Sequence, residues 1–187
     1  MINYGQLTTL TPNDVHIQPI WEVSRGANTC TTCHNTKDAG NLDQVPAGQL
    51  DLTGGPSLDN AQQLVSYREL FFDDNLQELV NGAIVDVLVT VPVLDDNGNQ
   101  VIINGVPQFT QVPVTNPNGP SMSVNGARAS YFMEKMMNTE LNATRVLSGS
   151  TNHAGFLTDA ELRLIAEWLD LGGQNFNNPF DPDAPMN

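Results

Sequence analysis

Residues 30–34 read Cys30-Thr31-Thr32-Cys33-His34, and this stretch decides most of what the sequence predicts. Two thiols separated by two residues and followed at once by an imidazole form the attachment pattern of c-type haem. Each thiol can add to one vinyl group of the macrocycle, and the adjacent histidine can supply an axial nitrogen to the iron. The pattern therefore predicts one covalently attached haem c, with thioethers at Cys30 and Cys33 and with His34 as the proximal iron ligand.

The same cysteine spacing occurs in redox dithiols and in halves of zinc sites. A zinc site needs a second pair of ligands, but the chain has only these two cysteines, and its other histidines, His16 and His153, stand apart in the sequence. A thioredoxin-like dithiol is expected in a βαβ context, which the flanking sequence does not predict. A structural or redox pair of thiols remains the alternative at these positions.

The composition limits the kinds of partner. The 187 residues include 7 Lys+Arg and 21 Asp+Glu, for a formal net charge of −14. Without a basic footprint, neither nucleic acid nor an anionic membrane surface is an expected partner. No apolar run approaches the roughly 20 residues that cross a bilayer. An acidic surface favours solubility and steering toward a basic patch on a partner protein.

Haem is attached to such motifs outside the cytoplasmic membrane, so we expect a periplasmic or extracellular protein. The first residues have neither the basic region nor the apolar region of a signal peptide. We therefore expect a mature or trimmed chain that is a monomer or one module of a larger secreted protein.

Helical signals flank the motif and recur toward the C-terminus. Thr11 followed by proline is typical of a helix start, and apolar spacing predicts further helices at 58–72 and 127–138. The run from Thr158 to Glu161 is a capping box that opens a last helix. These signals predict a mainly α fold, which together with the haem motif resembles a class I cytochrome c-like helical core around one haem.

A valine-rich segment departs from this helical pattern. Residues 83–114 are rich in β-branched side chains and contain the turn pairs Asn97-Gly98 and Asn104-Gly105, which predict an inserted β-hairpin or three-stranded flap. We therefore predict a single domain over 1–187, with a β-rich insertion at 83–121 and an extended C-terminal tail at 174–187.

The sixth position of the predicted iron has several candidate ligands. His153 lies in a loop five residues before Thr158, where small cytochromes c carry their distal ligand, so it is the predicted distal iron ligand. Met122, in an extended segment, is the main alternative; His16, Met133, Met136, Met137 and an open position are the others. Arg25 and Arg128 could contact the haem propionates, because a guanidinium binds a carboxylate through two bonds.

Taken together, the motif and its flanks resemble the cytochrome c-like domains of large secreted proteins of marine Gram-negative bacteria. Besides the motif, the resemblance rests on residues 16–21 (HIQPIW), 50–52 (LDL), 66–70 (SYREL), 153–158 (HAGFLT) and 161–169 (ELRLIAEWL). It implies an electron-transfer module and supports His153 as the distal ligand. Some similar domains are appended to carbohydrate-active modules, which implies a copper-dependent lytic polysaccharide monooxygenase as one electron acceptor.

The predicted function is that of a mono-haem c-type cytochrome domain, without enzymatic activity, that relays single electrons between periplasmic or extracellular redox partners. Two alternatives stay open. One is a peroxidase-like haem enzyme, and the other is a haem-based sensor whose sixth ligand exchanges.

Overall fold

The structure is a computed structural model that describes residues 16–141, 147 and 151–175. The helix start predicted at Thr11 and most of the predicted tail, residues 176–187, lie outside the described residues.

Five α-helices occur in the described part of the chain: α1 (Gln18–Glu22), α2 (Cys30–Cys33), α3 (Val65–Phe71), α4 (Tyr131–Met137) and α5 (Asp159–Asp170). Short 3-10 turns lie at Gly26–Asn28, Ala47–Gln49 and Ala127–Ala129. The predicted helix over 58–72 is present only as α3, because Leu64 is extended and pairs with Pro56. The predicted helix over 127–138 is interrupted at Ser130, which is also extended.

Helix α5 is the longest at 12 residues, and its start confirms the predicted capping box. The Thr158 hydroxyl accepts the Glu161 backbone N–H at 3.3 Å, and the Glu161 carboxylate accepts the Thr158 N–H at 2.7 Å. Two backbone donors that a helix end leaves free are thereby satisfied.

In the part of the chain that the structure describes, six strands form three antiparallel pairs. Strand β1 (Gln77–Val80) pairs with β2 (Ala83–Asp86), β3 (Leu88–Pro92) pairs with β6 (Phe109–Pro113), and β4 (Ile102–Ile103) pairs with β5 (Val106–Pro107). The β1–β2 and β4–β5 turns are Asn81-Gly82 and Asn104-Gly105, with positive φ at all four residues. Positive φ at both central residues matches the tight hairpin turn for which Asn-Gly is favoured.

The prediction of a mainly α, cytochrome c-like helical core is wrong. The chain is a mixed α/β domain, about 30% helical and 20% strand, with several antiparallel sheets. Helices α1 to α4 have seven residues or fewer, while the strands begin at Gln77 rather than at residue 83. Asn81-Gly82 carries the same turn signal as the later Asn-Gly pairs, so the sequence held the information for this earlier hairpin.

The core lies among the helices and the loops that join them. Its buried apolar side chains come from Ile17 to Leu70 and from Met122 to Leu169, and none comes from residues 71–121. At its centre Trp21 packs edge-on against Phe132, with ring centroids 5.5 Å apart. Among the described residues, no helix is both long and apolar enough to span a bilayer.

Candidate functional site

A cavity of about 610 Å³ opens beside the core, and its wall is mostly apolar. Helices α1, α2 and α4 contribute to the wall, together with the loops around Leu50 and before α5. Both cysteines, His34 and His153 line this one cavity. The structure thus brings together residues that lie far apart in the sequence.

The cysteines reach the cavity because their stretch folds as one helical turn. The His34 backbone N–H donates to the Cys30 carbonyl at 2.9 Å and closes the turn. Residues three apart lie on the same side of such a turn, so the Cys30 and Cys33 side chains share one wall. Both cysteines are free thiols.

The two imidazoles face each other across part of the cavity. Their ring centroids are 6.0 Å apart, and their planes are inclined at 43°. The Nδ1 of His34 lies 3.2 Å from the Leu50 carbonyl, and the Nδ1 of His153 lies 2.9 Å from the Thr151 carbonyl. Each Nδ1–H therefore donates to a backbone carbonyl, which fixes the tautomer of each ring.

Burial sets the protonation of these side chains. Desolvation lowers the pKa of His34, and the charge of His153 lowers it further. Desolvation also lowers the pKa of His153, so both rings are neutral at neutral pH. Burial raises the pKa of the Cys30 thiol despite the opposing charge of Arg25, which weighs against a reactive dithiol, since the thiolate is the reactive form.

The other candidate iron ligands are placed less favourably. Met122 is 2% exposed in the core, and its N–H donates to the Leu70 carbonyl. Met133 is also a core residue, whereas His16 and Met137 are exposed. Met136 alone among the candidate methionines lines the cavity in the described structure.

Neither predicted arginine is among the described residues that line the cavity. Arg25 donates to the Glu161 carboxylate and, at 2.7 Å, to the Ile20 carbonyl, so it ties α1 to α5. Arg128 is exposed on the 3-10 turn Ala127–Ala129.

Two residues of the cavity wall were not found from the sequence. Lys135 lines the cavity and forms no ion pair among the described residues, and burial lowers its pKa. Trp21 is 0% exposed, and its indole N–H has no acceptor in the described part of the chain. Lys135 lies four residues after Tyr131, which also lines the cavity, but it stands outside the apolar stripe of α4, so the apolar pattern did not single it out.

The prediction of a haem c cofactor is wrong. Among the described residues, no group of three or more His, Cys, Asp or Glu side chains could hold a metal ion, and Cys30 and Cys33 are the only thiols of the chain. What the described residues do bring together is two thiols and two neutral imidazoles on one apolar cavity.

No family model, no curated protein and no solved structure matches the chain. The resemblance to secreted cytochrome c-like domains therefore stays a prediction that rests on the sequence alone.

Proposed function

We propose that this domain relays single electrons between periplasmic or extracellular redox partners, through a redox-active group bound in the cavity. The observation that carries the proposal is the set of side chains on the cavity wall. Two thiols on one helical turn and two imidazoles line the same mostly apolar space of about 610 Å³.

The thiols and imidazoles have complementary tasks in this proposal. Cys30 and Cys33 present both sulfur atoms to one side of the cavity, because they share one face of the turn. His34 and His153 present two imidazoles to the same space, with ring centroids 6.0 Å apart. Their hydrogen bonds to backbone carbonyls fix the orientation of both rings.

Two further wall residues support an occupant with an acidic substituent. A buried N–H without an acceptor costs about 1–3 kcal/mol, and an occupant that accepts a bond from Trp21 Nε1 removes this cost. Lys135 supplies a positive charge at the same cavity. In a chain with only seven Lys and Arg residues, a lysine that has no ion pair within the described residues favours an anionic ligand group at this place.

The apolar wall suits electron relay rather than substrate turnover. It limits contact between the bound group and water, which is one of the factors that sets a redox potential. One electron enters from a donor protein and leaves to an acceptor, and the domain itself converts no substrate. On the resemblance alone, a copper-dependent lytic polysaccharide monooxygenase is one candidate acceptor.

The test is to purify the full chain from the periplasm of a bacterial host and to record its visible absorption during a redox titration. We expect visible absorption that changes reversibly in a one-electron step.

The variants assign the roles of the wall residues. Replacing both cysteines, Cys30→Ala with Cys33→Ala, should change the visible absorption, and so should His153→Ala. His16→Ala is the matched control, because His16 is exposed and lies outside the cavity wall. A chain without visible absorption, or a reversible disulfide between the two cysteines, would contradict the proposal.

A further inference from the structure

The segment 77–113, which contains all six strands, is here called the hairpin arm. Of the 18 large apolar side chains that are exposed in the described residues, ten lie on the arm: Leu79, Val80, Val85, Leu88, Val89, Leu94, Ile102, Ile103, Val106 and Phe109. The arm contributes no side chain to the buried core. Its apolar residues are therefore not explained by the folding of this domain.

Five of these side chains are concentrated toward the far end of the arm, around β4 and β5. This arm tip consists of Leu94, Ile102, Ile103, Val106 and Phe109, each 55–60% exposed. Backbone hydrogen bonds join its segments, since the Val93 N–H donates to the Gln108 carbonyl and the Val101 N–H to the Val93 carbonyl. Soluble monomers seldom expose apolar groups in such concentration without an interaction partner.

The charge around the tip has a single sign. No Lys, Arg or His occurs between Glu69 and Ala127, and Asp95 and Asp96 are exposed beside the tip. The Asp95 carboxylate accepts the N–H groups of Asn97 and Asn99 at 2.9 Å, which holds it in the turn. The tip thus presents apolar side chains next to two negative charges.

The faces of the arm suit docking better than its strand edges do. Pro92 and Pro113 end strands β3 and β6, and Pro107 lies in β5. Proline has no N–H to donate, so an added strand would lose ladder bonds at these positions. A two-stranded ribbon is only marginally stable by itself in water, and cover by a partner's surface would stabilise it.

We propose that the arm tip docks a second protein whose contact surface is apolar at the centre and rimmed by lysine or arginine. The apolar side chains of the tip fill the centre, and Asp95 and Asp96 meet the basic rim. A second copy of this chain fits less well, because two chains of net charge −14 repel each other. The arm tip lies outside the cavity wall, and the proposal does not depend on what the cavity holds.

The probe is a fluorescent amphipathic helical peptide of leucine and lysine, which reproduces an apolar centre with a basic rim. Binding of the peptide to the exported, full chain is measured by fluorescence anisotropy at several salt concentrations. Hydrogen exchange then identifies the residues of the chain that the peptide covers. We expect binding that weakens with salt, with protection gained in residues 94–109. A leucine–glutamate peptide of the same pattern should not bind.

Two variants separate the apolar and the charged contributions. Ile103→Thr with Phe109→Thr keeps β-favouring residues and should weaken binding by roughly tenfold or more, as expected for central contacts. Asp95→Asn with Asp96→Asn should weaken it by a few-fold and flatten its salt dependence. Leu58→Thr with Leu171→Thr is the matched control, since both leucines are at least 68% exposed and lie outside the arm. This control variant should bind the leucine–lysine peptide as tightly as the unchanged chain does.

Each contrary outcome overturns the proposal. Equal binding by the tip variant and the control, at unchanged circular dichroism, would show that the tip is not the contact. Hydrogen-exchange protection confined to residues outside the arm would also show that the tip is not the contact. Sedimentation of the free chain as a dimer that Ile103→Thr with Phe109→Thr dissociates would assign the tip to self-association.

Discussion

At the scale of single residues, Glu69 is a titratable group whose pKa is strongly changed by the fold. Burial raises its pKa to about 8, and the nearby charge of Asp74 adds to this effect. The Asp51 backbone N–H lies 3.4 Å from the carboxylate and opposes the shift. At neutral pH the folded state therefore favours the protonated acid, which donates to Asp74.

This shift makes stability depend on pH. The pKa of Glu69 is higher in the folded than in the unfolded chain, so its contribution is fully present below about 4.5 and is lost as the pH rises through about 8. Glu69 should lower the unfolding free energy by about 3 kcal/mol between pH 5 and pH 8, and we expect Glu69→Gln to remove this decrease. Urea unfolding at both pH values measures this.

Glu78→Gln is the control for Glu69→Gln, because Glu78 is an exposed carboxylate on β1. It should leave the pH dependence as it is in the unchanged chain. If Glu69→Gln and Glu78→Gln show the same pH dependence as the unchanged chain, Glu69 is not protonated in the folded state.

At the scale of elements, the capping box of α5 does more than begin a helix. Glu161 accepts the Thr158 N–H and also pairs with Arg25, whose own backbone N–H donates to the Thr29 hydroxyl at 2.7 Å. Thr29 immediately precedes α2, the turn that carries both cysteines. The start of α5 is thus joined to the thiol wall of the cavity by consecutive polar contacts.

We expect Thr158→Ala to lower the unfolding free energy by about 1 kcal/mol, since it removes a side-chain cap. Thr158→Ser keeps the hydroxyl and should lower the unfolding free energy by only a few tenths of a kcal/mol. Thermal or urea unfolding compares the two variants. A Thr158→Ala chain as stable as the Thr158→Ser chain would mean that the capping bond is not formed.

At the scale of the whole molecule, the chain divides into a packed helical part and an arm that does not enter the core. Ile165 on α5 is 0% exposed, whereas Ile103 on β4 is 55% exposed. The same residue type therefore lies in two opposite environments. Their contributions to global stability should differ accordingly.

The matched substitutions Ile165→Ala and Ile103→Ala test this division. Ile165→Ala leaves a cavity in the core and should cost about 3 kcal/mol. Ile103→Ala removes exposed surface and should cost about 0.5 kcal/mol or less. Comparable losses from both in urea unfolding would mean that the arm tip packs against the domain.

Much of the local structure was predictable from short stretches. Thr158 to Glu161 and the Asn104-Gly105 pair each specify a cap or a turn through contacts within a few residues. The helical share was overestimated because apolar periodicity over 58–72 and 127–138 does not register the extended residues Leu64 and Ser130. Helix propensity is a weak guide where tertiary contacts hold the backbone in a different conformation.

The sequence by itself determined the turn that presents Cys30, Cys33 and His34 together, because neighbouring residues on one helical turn need no distant contact to converge. Only the tertiary structure decided that His153 lies opposite His34, that Lys135 and Trp21 line the same cavity, and that the arm stays outside the core. These relations join residues far apart in the chain, and they arise from the packing of buried side chains, which no local pattern encodes.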